Sequence, residues 1–272
     1  MKKVSDETYS LINNDIYDIE GDRWWHPDFS LNLIRTLYNP FRVNYAKKII
    51  NQLKVNPAKT KVLEVGCGGG IFIEDIAKMG LITTGIDPSE QSLNIAIQHA
   101  KENNLTIKYE KGIGENLPFQ NNAFDIVFCC DVLEHVRDLP KVISEISRVL
   151  KNGGIFIYDT FNRTYFSKIS IIKILQEWKR WAIMPPNLHV WKMFIKPDEI
   201  RFLLRKNQLD WKEHRGIKPD ISYLKMLRYL HQRAVGELTY VEFGKKFRMV
   251  ESKSTQIMYM GYAIKNNNSK NT

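Results

Sequence analysis

Short apolar runs alternate along the first 160 residues with segments in which apolar side chains return every three or four positions. The runs over 61–65, 81–86, 124–130 and 155–160 read as strands of the kind buried in a parallel sheet, and 106–110 reads as a further strand. Between them the spacing predicts helices over 71–79, over 89–103 with Ser89 as cap, and over 139–150, the last ended by Asn152-Gly153-Gly154. Strand and helix in alternation predict an α/β fold with a doubly wound, mostly parallel sheet. A helix over 196–205 with Pro197 in its first turn, then strands over 211–217 and 256–264, complete a seven-stranded sheet. Three regions fall outside this pattern. Residues 1–55 hold two predicted helices around Trp24-Trp25 and form a helical cover; residues 161–195 and 218–254 are insertions within the main domain, 56–264; and residues 265–272, rich in asparagine, are expected to be a disordered tail.

Composition narrows the class. A chain of 272 residues, 43% of them hydrophobic, can bury a full core, which excludes a disordered protein. It has no run of about 18 apolar residues and no apolar segment after Met1-Lys2-Lys3, so neither a membrane span nor export is expected. Cys67, Cys129 and Cys130 make no disulfide framework, which suits a cytoplasmic location. The net charge of +10 is uneven: residues 161–272 carry twenty-two basic and nine acidic groups, whereas residues 54–160 carry eleven and fourteen. The basic part is either a solvated face or a surface for an anionic partner, membrane or nucleic acid.

Candidate chemistry begins at Glu64-Val65-Gly66-Cys67-Gly68-Gly69-Gly70, where a strand meets a helix start. A dinucleotide site wants G-x-G-x-x-G with pyrophosphate on the helix N-terminus, but Ile71 stands where the third glycine is needed and Glu64 would repel pyrophosphate. An acid there suits a ligand with an ammonium group, and Asp87, closing the next strand, can accept both hydroxyls of a ribose. This pattern resembles the Rossmann-like class I S-adenosylmethionine (SAM) methyltransferases, and the resemblance implies SAM as cofactor. A dinucleotide enzyme or a non-catalytic relic is the alternative. Ligands of an open α/β sheet lie outside the carboxyl ends of the strands, which puts Gly66, Asp87, Cys130, Asp131 and Thr160 on one rim. After the third strand, where such enzymes hold adenine, the usual aspartate is Ile113, leaving backbone groups and Glu115 for that contact.

The fourth strand runs into Asp131-Val132-Leu133-Glu134-His135-Val136. If helical, the i, i+3, i+4 spacing brings Asp131, Glu134 and His135 together, a set that could hold magnesium or manganese and lower a phenol's pKa. His135 could instead be a general base, or Asp131 could simply shape the cofactor pocket while His135 packs. All three roles stay open.

A closer resemblance lies in Trp24-Trp25, in Asn39-Pro40-Phe41-Arg42-Val43-Asn44-Tyr45, in the turn at 65–71, in Leu133-Glu134-His135-Val136, in Thr160-Phe161-Asn162-Arg163 and in Pro186-Asn187-Leu188-His189. These motifs resemble those of the O-methyltransferases of ubiquinone biosynthesis. The resemblance implies methylation of a polyprenylated catechol or quinol, SAM contacts from Arg42, Gly66, Asp87 and Cys130, and a magnesium site at Asp131, Glu134 and His135. Cofactor contacts are therefore expected from Arg42, Glu64, Gly66, Cys67, Gly68, Gly70, Asp87, Glu115, Cys130 and Asp131, and catalytic groups from Glu134, His135 and His189. Three departures stand out: His26 replaces an aspartate, Asp131 replaces a glutamate, and the stretch before the last strand is longer than usual. The last leaves a soluble phenol or natural product as the competing acceptor. Nucleic acid is not expected, because no Asn/Asp-Pro-Pro-Tyr/Phe site follows the fourth strand. Between Arg163 and Lys196 seven basic residues and one acid alternate with Phe166, Ile169, Ile172, Leu175, Trp178 and Trp181, an amphipathic pattern that would either lie on an anionic membrane at its inner face or cap the sheet as core.

Overall fold

A computed structural model describes residues 3–52 and 56–266. Eight strands form a single sheet: β1 (Lys61–Val65), β2 (Ile82–Asp87), β3 (Ile107–Lys111), β4 (Phe124–Cys130), β5 (Leu150–Phe161), β6 (Leu209–Pro219), β7 (Met249–Ser252) and β8 (Met258–Lys265). Their order is β3-β2-β1-β4-β5-β8-β6-β7. The first five are parallel, while β8 runs antiparallel to both β5 and β6. Strand order reverses between β1 and β4, which opens a crevice at their carboxyl ends.

The sheet is covered on both faces, as the apolar runs require. One core gathers Ile73 and Ile76 of helix Ile71–Ala77 and Ile49 of helix Asn39–Gln52 on Val62, Ile126 and Ile157. The other packs Val142 and Ile146 of helix Leu139–Val149 and Leu203 of helix Pro197–Lys206 on Leu63, Val127 and Phe156. The doubly wound α/β reading is borne out, and its boundaries hold within a few residues: Ser89 caps helix Glu90–Glu102 by accepting the Ser92 N–H.

Four expectations need correction. The sheet has eight strands, because residues 218–254 contribute β7, which pairs with Gly216–Pro219 on the outer half of β6. Asn152-Gly153-Gly154 does not end the helix; it lies inside β5, where the pairing jumps from Phe124↔Leu150 to Ile126↔Ile155 and the extra residues bulge. The amphipathic stretch between Arg163 and Lys196 is not one long helix but a short turn, Tyr165–Ser167, followed by a π-helical run, Lys168–Glu177, whose wider turn splits the apolar positions. Ile172 is buried, whereas Phe166, Ile169 and Trp178 are exposed. Finally, Lys265 closes β8 and the Asn266 N–H donates to Gln208 O, so the expected tail does not begin at 265; residues 267–272 lie outside the described residues.

Candidate active site

The glycine turn after β1 is built from left-handed backbone: Gly66, Gly68 and Gly70 have φ of 75°, 48° and 83°. A side chain there would be strained, and a Cβ on Gly68 would lie 2.6 Å from the Trp24 ring. The turn is pinned to the next strand by Asp87, whose carboxylate accepts the N–H groups of Gly68 (2.8 Å) and Ser89 (2.9 Å). Burial raises Asp87 to about 6 despite those donors. Cys67 points its thiol into the core, with Sγ packed on Gly85, so only its backbone faces the rim.

Beneath the turn lies a buried charged network. Arg42, from helix Asn39–Gln52, donates from Nε and Nη2 to both oxygens of Asp159 on β5, at 2.7 and 2.8 Å. Asp159 also accepts the Asp131 N–H at 3.0 Å, and Asp131 Oδ2 is 3.8 Å from Arg42. Glu64 is buried alongside, with Oε2 lacking a hydrogen-bond partner among the described residues. Burial pushes its carboxyl up to about 8, and nearby Arg42 offsets only part of that rise.

Across the β1/β4 crevice, residues 131–136 form a turn rather than a helix, closed by the His135 N–H on Val132 O. Asp131 has φ 60° and stands 3.8 Å from Arg42, while Glu134 and both histidines also act on its carboxyl. The structure brings His189 to the expected Glu134 and His135, and the ligand atoms of these three lie within 4.8 Å of one another. The imidazoles of His135 and His189 are 5.0 Å apart. Burial lowers His135 to about 4 and His189 to about 3, so both rings are neutral at pH 7. Glu134 accepts from the Thr160 hydroxyl at 2.8 Å; burial, then Asp131, raise its carboxyl. Burial alone would raise Asp131 too, but Arg42 and the two histidines hold it low. The two carboxyls are thus driven apart, one toward a donor and one toward an acceptor.

Glu115 stands apart from this group: its Oε1 accepts the N–H groups of Arg137 (3.1 Å) and Asp138 (3.3 Å) and ties down the loop before helix Leu139–Val149. Cys130 ends β4 with its thiol buried and protonated.

Three residues that the motifs did not flag complete the site. Asp159 is a lone carboxylate in the apolar run of β5, a signal that was present in the sequence. Asn14 and Tyr17 come from the N-terminal segment and had none. Asn14 Nδ2 donates to His135 O (3.2 Å) and its Oδ1 lies 3.3 Å from His135 Nδ1. Tyr17 stacks on Trp24 and meets His135 edge-on. The segment is held down where Trp24 Nε1 and Trp25 Nε1 donate to Ser92 Oγ (2.8 Å) and Gly69 O (2.9 Å).

Over residues 63–158 the chain matches the family described as methyltransferase domain. The ubiquinone biosynthesis O-methyltransferase of Haemophilus ducreyi is 38% identical over 198 residues, 71% of this chain and 81% of that protein. The chain belongs to the ubiquinone biosynthesis O-methyltransferase family. A second member, from Pelagibacter ubique, is 33% identical over 207 residues, 74% of this chain and 85% of its own. Among solved structures, the magnesium protoporphyrin IX methyltransferase of Synechocystis, with bound SAH, superposes with a TM-score of 0.62 at 18% identity, covering 96% of this chain and 100% of that one. A SAM-dependent methyltransferase of Thermotoga maritima gives 0.56 at 16% identity, covering 95% and 100%. At such identities these two establish the fold alone. With its family, the chain is a SAM-dependent methyltransferase. No helix among the described residues is long and apolar enough to cross a membrane.

Proposed function

We propose that the chain transfers the SAM methyl group to a phenolic oxygen of a polyprenylated quinone precursor, with residues 1–55 covering the catalytic domain of 56–264. The observation that carries this reading is the buried group of Glu134, His135 and His189 at the switch-point crevice, beside the Arg42 guanidinium and the unpaired Glu64 carboxyl. A zwitterionic amino-acid moiety needs one cation for its carboxylate and one anion for its ammonium, which Arg42 and Glu64 supply. The bare glycine backbone lets the cofactor lie close, and Asp87 faces the ribose hydroxyls. Cys130 and the 112–117 loop, with Glu115 as its anchor, frame the adenine end.

Asn14 accepting from His135 Nδ1 leaves Nε2 unprotonated, facing the acceptor. The phenol oxygen bonds to the sulfonium methyl as the S–CH3 bond breaks, and its proton passes to His135 Nε2. A resting base near 4 is weak, so proton removal accompanies C–O bond formation, with Asp131 favouring the imidazolium that results. Protonated Glu134 donates to a neighbouring acceptor oxygen, and His189 lines the same wall. Holding the oxygen in line with the methyl group supplies most of the acceleration, because SAM is already a strong alkylating agent.

Magnesium fits this donor set poorly, since two of the three ligand atoms are imidazole nitrogens and magnesium takes oxygen. Glu134, His135 and His189 would suit a zinc or manganese ion, which when bound would acidify the acceptor hydroxyl. The polyprenyl tail gives reason for the enzyme to work at an anionic membrane surface.

The test is methyl transfer from labelled SAM to a short-chain polyprenyl catechol and to a tailless catechol, each with and without EDTA. Preference for the prenylated acceptor supports the reading, and loss with EDTA adds the metal. Equal or exclusive use of the tailless catechol moves the assignment to soluble phenols.

A further inference from the structure

His189 stands in a loop, residues 185–190, that belongs to no helix or strand. A buried loop residue must still find partners for its backbone N–H and C=O. For His189 both come from one side chain. Gln176 Oε1 accepts the His189 N–H at 2.8 Å, and Gln176 Nε2 donates to the His189 carbonyl oxygen at 3.1 Å. The amide makes the pair of bonds that a neighbouring strand would make, and both residues are buried. Its setting is otherwise apolar: Ile171 and Ile172 are the other buried residues of the run Lys168–Glu177, and Leu175 packs on the same core. A Met or Leu would fill that position without burying an amide, so the amide answers to the His189 backbone and not to packing.

The π-helical backbone serves the same contact. The Trp178 N–H closes on Lys173 O, five positions back, and turns of that width bring Gln176 over Ile171 on the buried side. Next to Gln176, Leu175 O accepts the N–H groups of Ile183 and Met184 at 2.9 and 3.1 Å, which fixes the return of the chain toward His189. From the other side the Asn13 N–H donates to Asn187 O at 2.8 Å, next to Asn14, which orients His135. The His189 ring itself meets Phe161 edge-on at 4.9 Å and lies 5.0 Å from His135. Its Nδ1 has no hydrogen-bond partner among the described residues, so the ring is placed by these neighbours and by where its backbone is held.

We propose that Gln176 is a positioning residue for methyl transfer: by clamping the His189 backbone it holds that imidazole against Glu134 and His135, and so makes the first insertion part of the acceptor side of the site. The proposal rests on the reading that the acceptor is held at Glu134, His135 and His189. Its reach is confined to that side. Both polar atoms of the Gln176 amide are spent on His189, so SAM binding at Arg42, Glu64, Asp87 and the glycine turn should be indifferent to it.

The experiment is a double-mutant cycle on the full chain, with methyl transfer from labelled SAM to the better accepted of the two catechols and SAM affinity by calorimetry as readouts. Gln176→Met keeps the volume and removes both bonds. It should lower kcat/KM for the catechol about 10–100-fold, the effect of a small misplacement, and leave SAM affinity unchanged, which also shows that the variant is folded. His189→Ala should cost a comparable factor, and adding Gln176→Met to it should cost nothing more, because the residue being positioned is gone. Gln176→Glu keeps the size and an oxygen for the His189 N–H. It should fall between wild type and Gln176→Met, and it carries the test if Gln176→Met does not fold. In protein with isotope-labelled histidine and saturating SAH, the nuclear Overhauser contact between the His135 and His189 rings should weaken in Gln176→Met. If His189→Ala lowers turnover and Gln176→Met does not, the acceptor reading survives and the proposal falls. Losses that multiply would mean that Gln176 acts on the fold at large and not through His189, which also overturns it. Wild-type turnover by His189→Ala would remove His189 from the acceptor wall and the proposal with it. Should neither catechol be a substrate, the Overhauser contact decides alone, and an unchanged contact in Gln176→Met overturns the proposal.

Discussion

Arg42 spends Nε and Nη2 on Asp159, whereas Glu64, buried in the same site, keeps one oxygen without a hydrogen-bond partner among the described residues. Because burial lifts the free carboxyl to about 8, Glu64 is mainly protonated at pH 7, and an ammonium placed beside it would favour the ionised form. SAM binding at pH 7 should therefore release roughly one proton, and affinity should climb as pH rises toward about 8 before levelling off. Calorimetry in phosphate and in Tris checks this: a binding enthalpy independent of the buffer would remove Glu64 from the ammonium. Asp87→Ala should abolish measurable SAM binding, whereas His135→Gln should keep SAM affinity and lose about 10²–10⁴-fold in turnover; retained turnover would exclude the base role. The Arg42–Asp159 pair makes a separate prediction. Asp159→Ala strands a buried guanidinium and should cost about 3–5 kcal/mol in urea unfolding, while Arg42→Met/Asp159→Leu should cost less. Legibility at this scale was partial for a physical reason. Glu64, Asp87 and His135 stand in local patterns, whereas Asn14 reaches His135 across 121 positions of chain, a separation no local spacing records.

Secondary elements followed the apolar pattern wherever burial was two-sided, which is why the parallel strands were legible to within a few residues except at the bulged start of β5. The pattern misled where backbone geometry overrode side-chain period. Positive φ at Asp131 turns the segment out of helical register, so helical spacing did not reveal that His189 joins Glu134 and His135, and the π-helical run Lys168–Glu177 broke a three-residue apolar repeat. β7 was missed because four residues whose two apolar side chains, Met249 and Val250, are adjacent at one end carry almost no periodicity. Its attachment depends on one position. Gly216 pairs with Ser252 of β7 and Tyr259 of β8, and a Cβ there would sit 1.8 Å from the Ser254 carbonyl oxygen. Gly216→Ala must push the returning chain away, and by the usual cost of overpacking it should destabilise by about 1–3 kcal/mol. Limited proteolysis should then cut first within residues 249–256. A wild-type cleavage pattern would mean that the strand is not held where the geometry puts it.

At the scale of the whole molecule, the second insertion and the cofactor site are joined by the cover. Trp24 and Trp25 rest on the glycine turn, Phe29 and Leu31 continue the same apolar cluster, and Leu33 and Leu37 then pack on Phe243 and Leu230 of the insertion. The contacts that join the cover to the glycine turn and to the insertion are distant in sequence, so the fold class could be read from the chain while this linkage could not. Its consequence is a prediction about hydrogen exchange. A ligand seated between the glycine turn and the cover adds contacts to residues 14–25 directly and should slow their exchange. If the cover behaves as one unit, the protection should extend through residues 33–37 to residues 226–247, which touch no part of the cofactor site. Mass-spectrometric exchange with and without SAM separates the alternatives. Protection confined to residues 14–25 would make the insertion an independent module, whereas protection reaching helix Tyr223–Ala234 would mean that occupancy of the site and the surface offered by that helix are thermodynamically linked. Linkage of that kind is reciprocal, so fixing the helix from outside should in turn tighten SAM binding by the same factor.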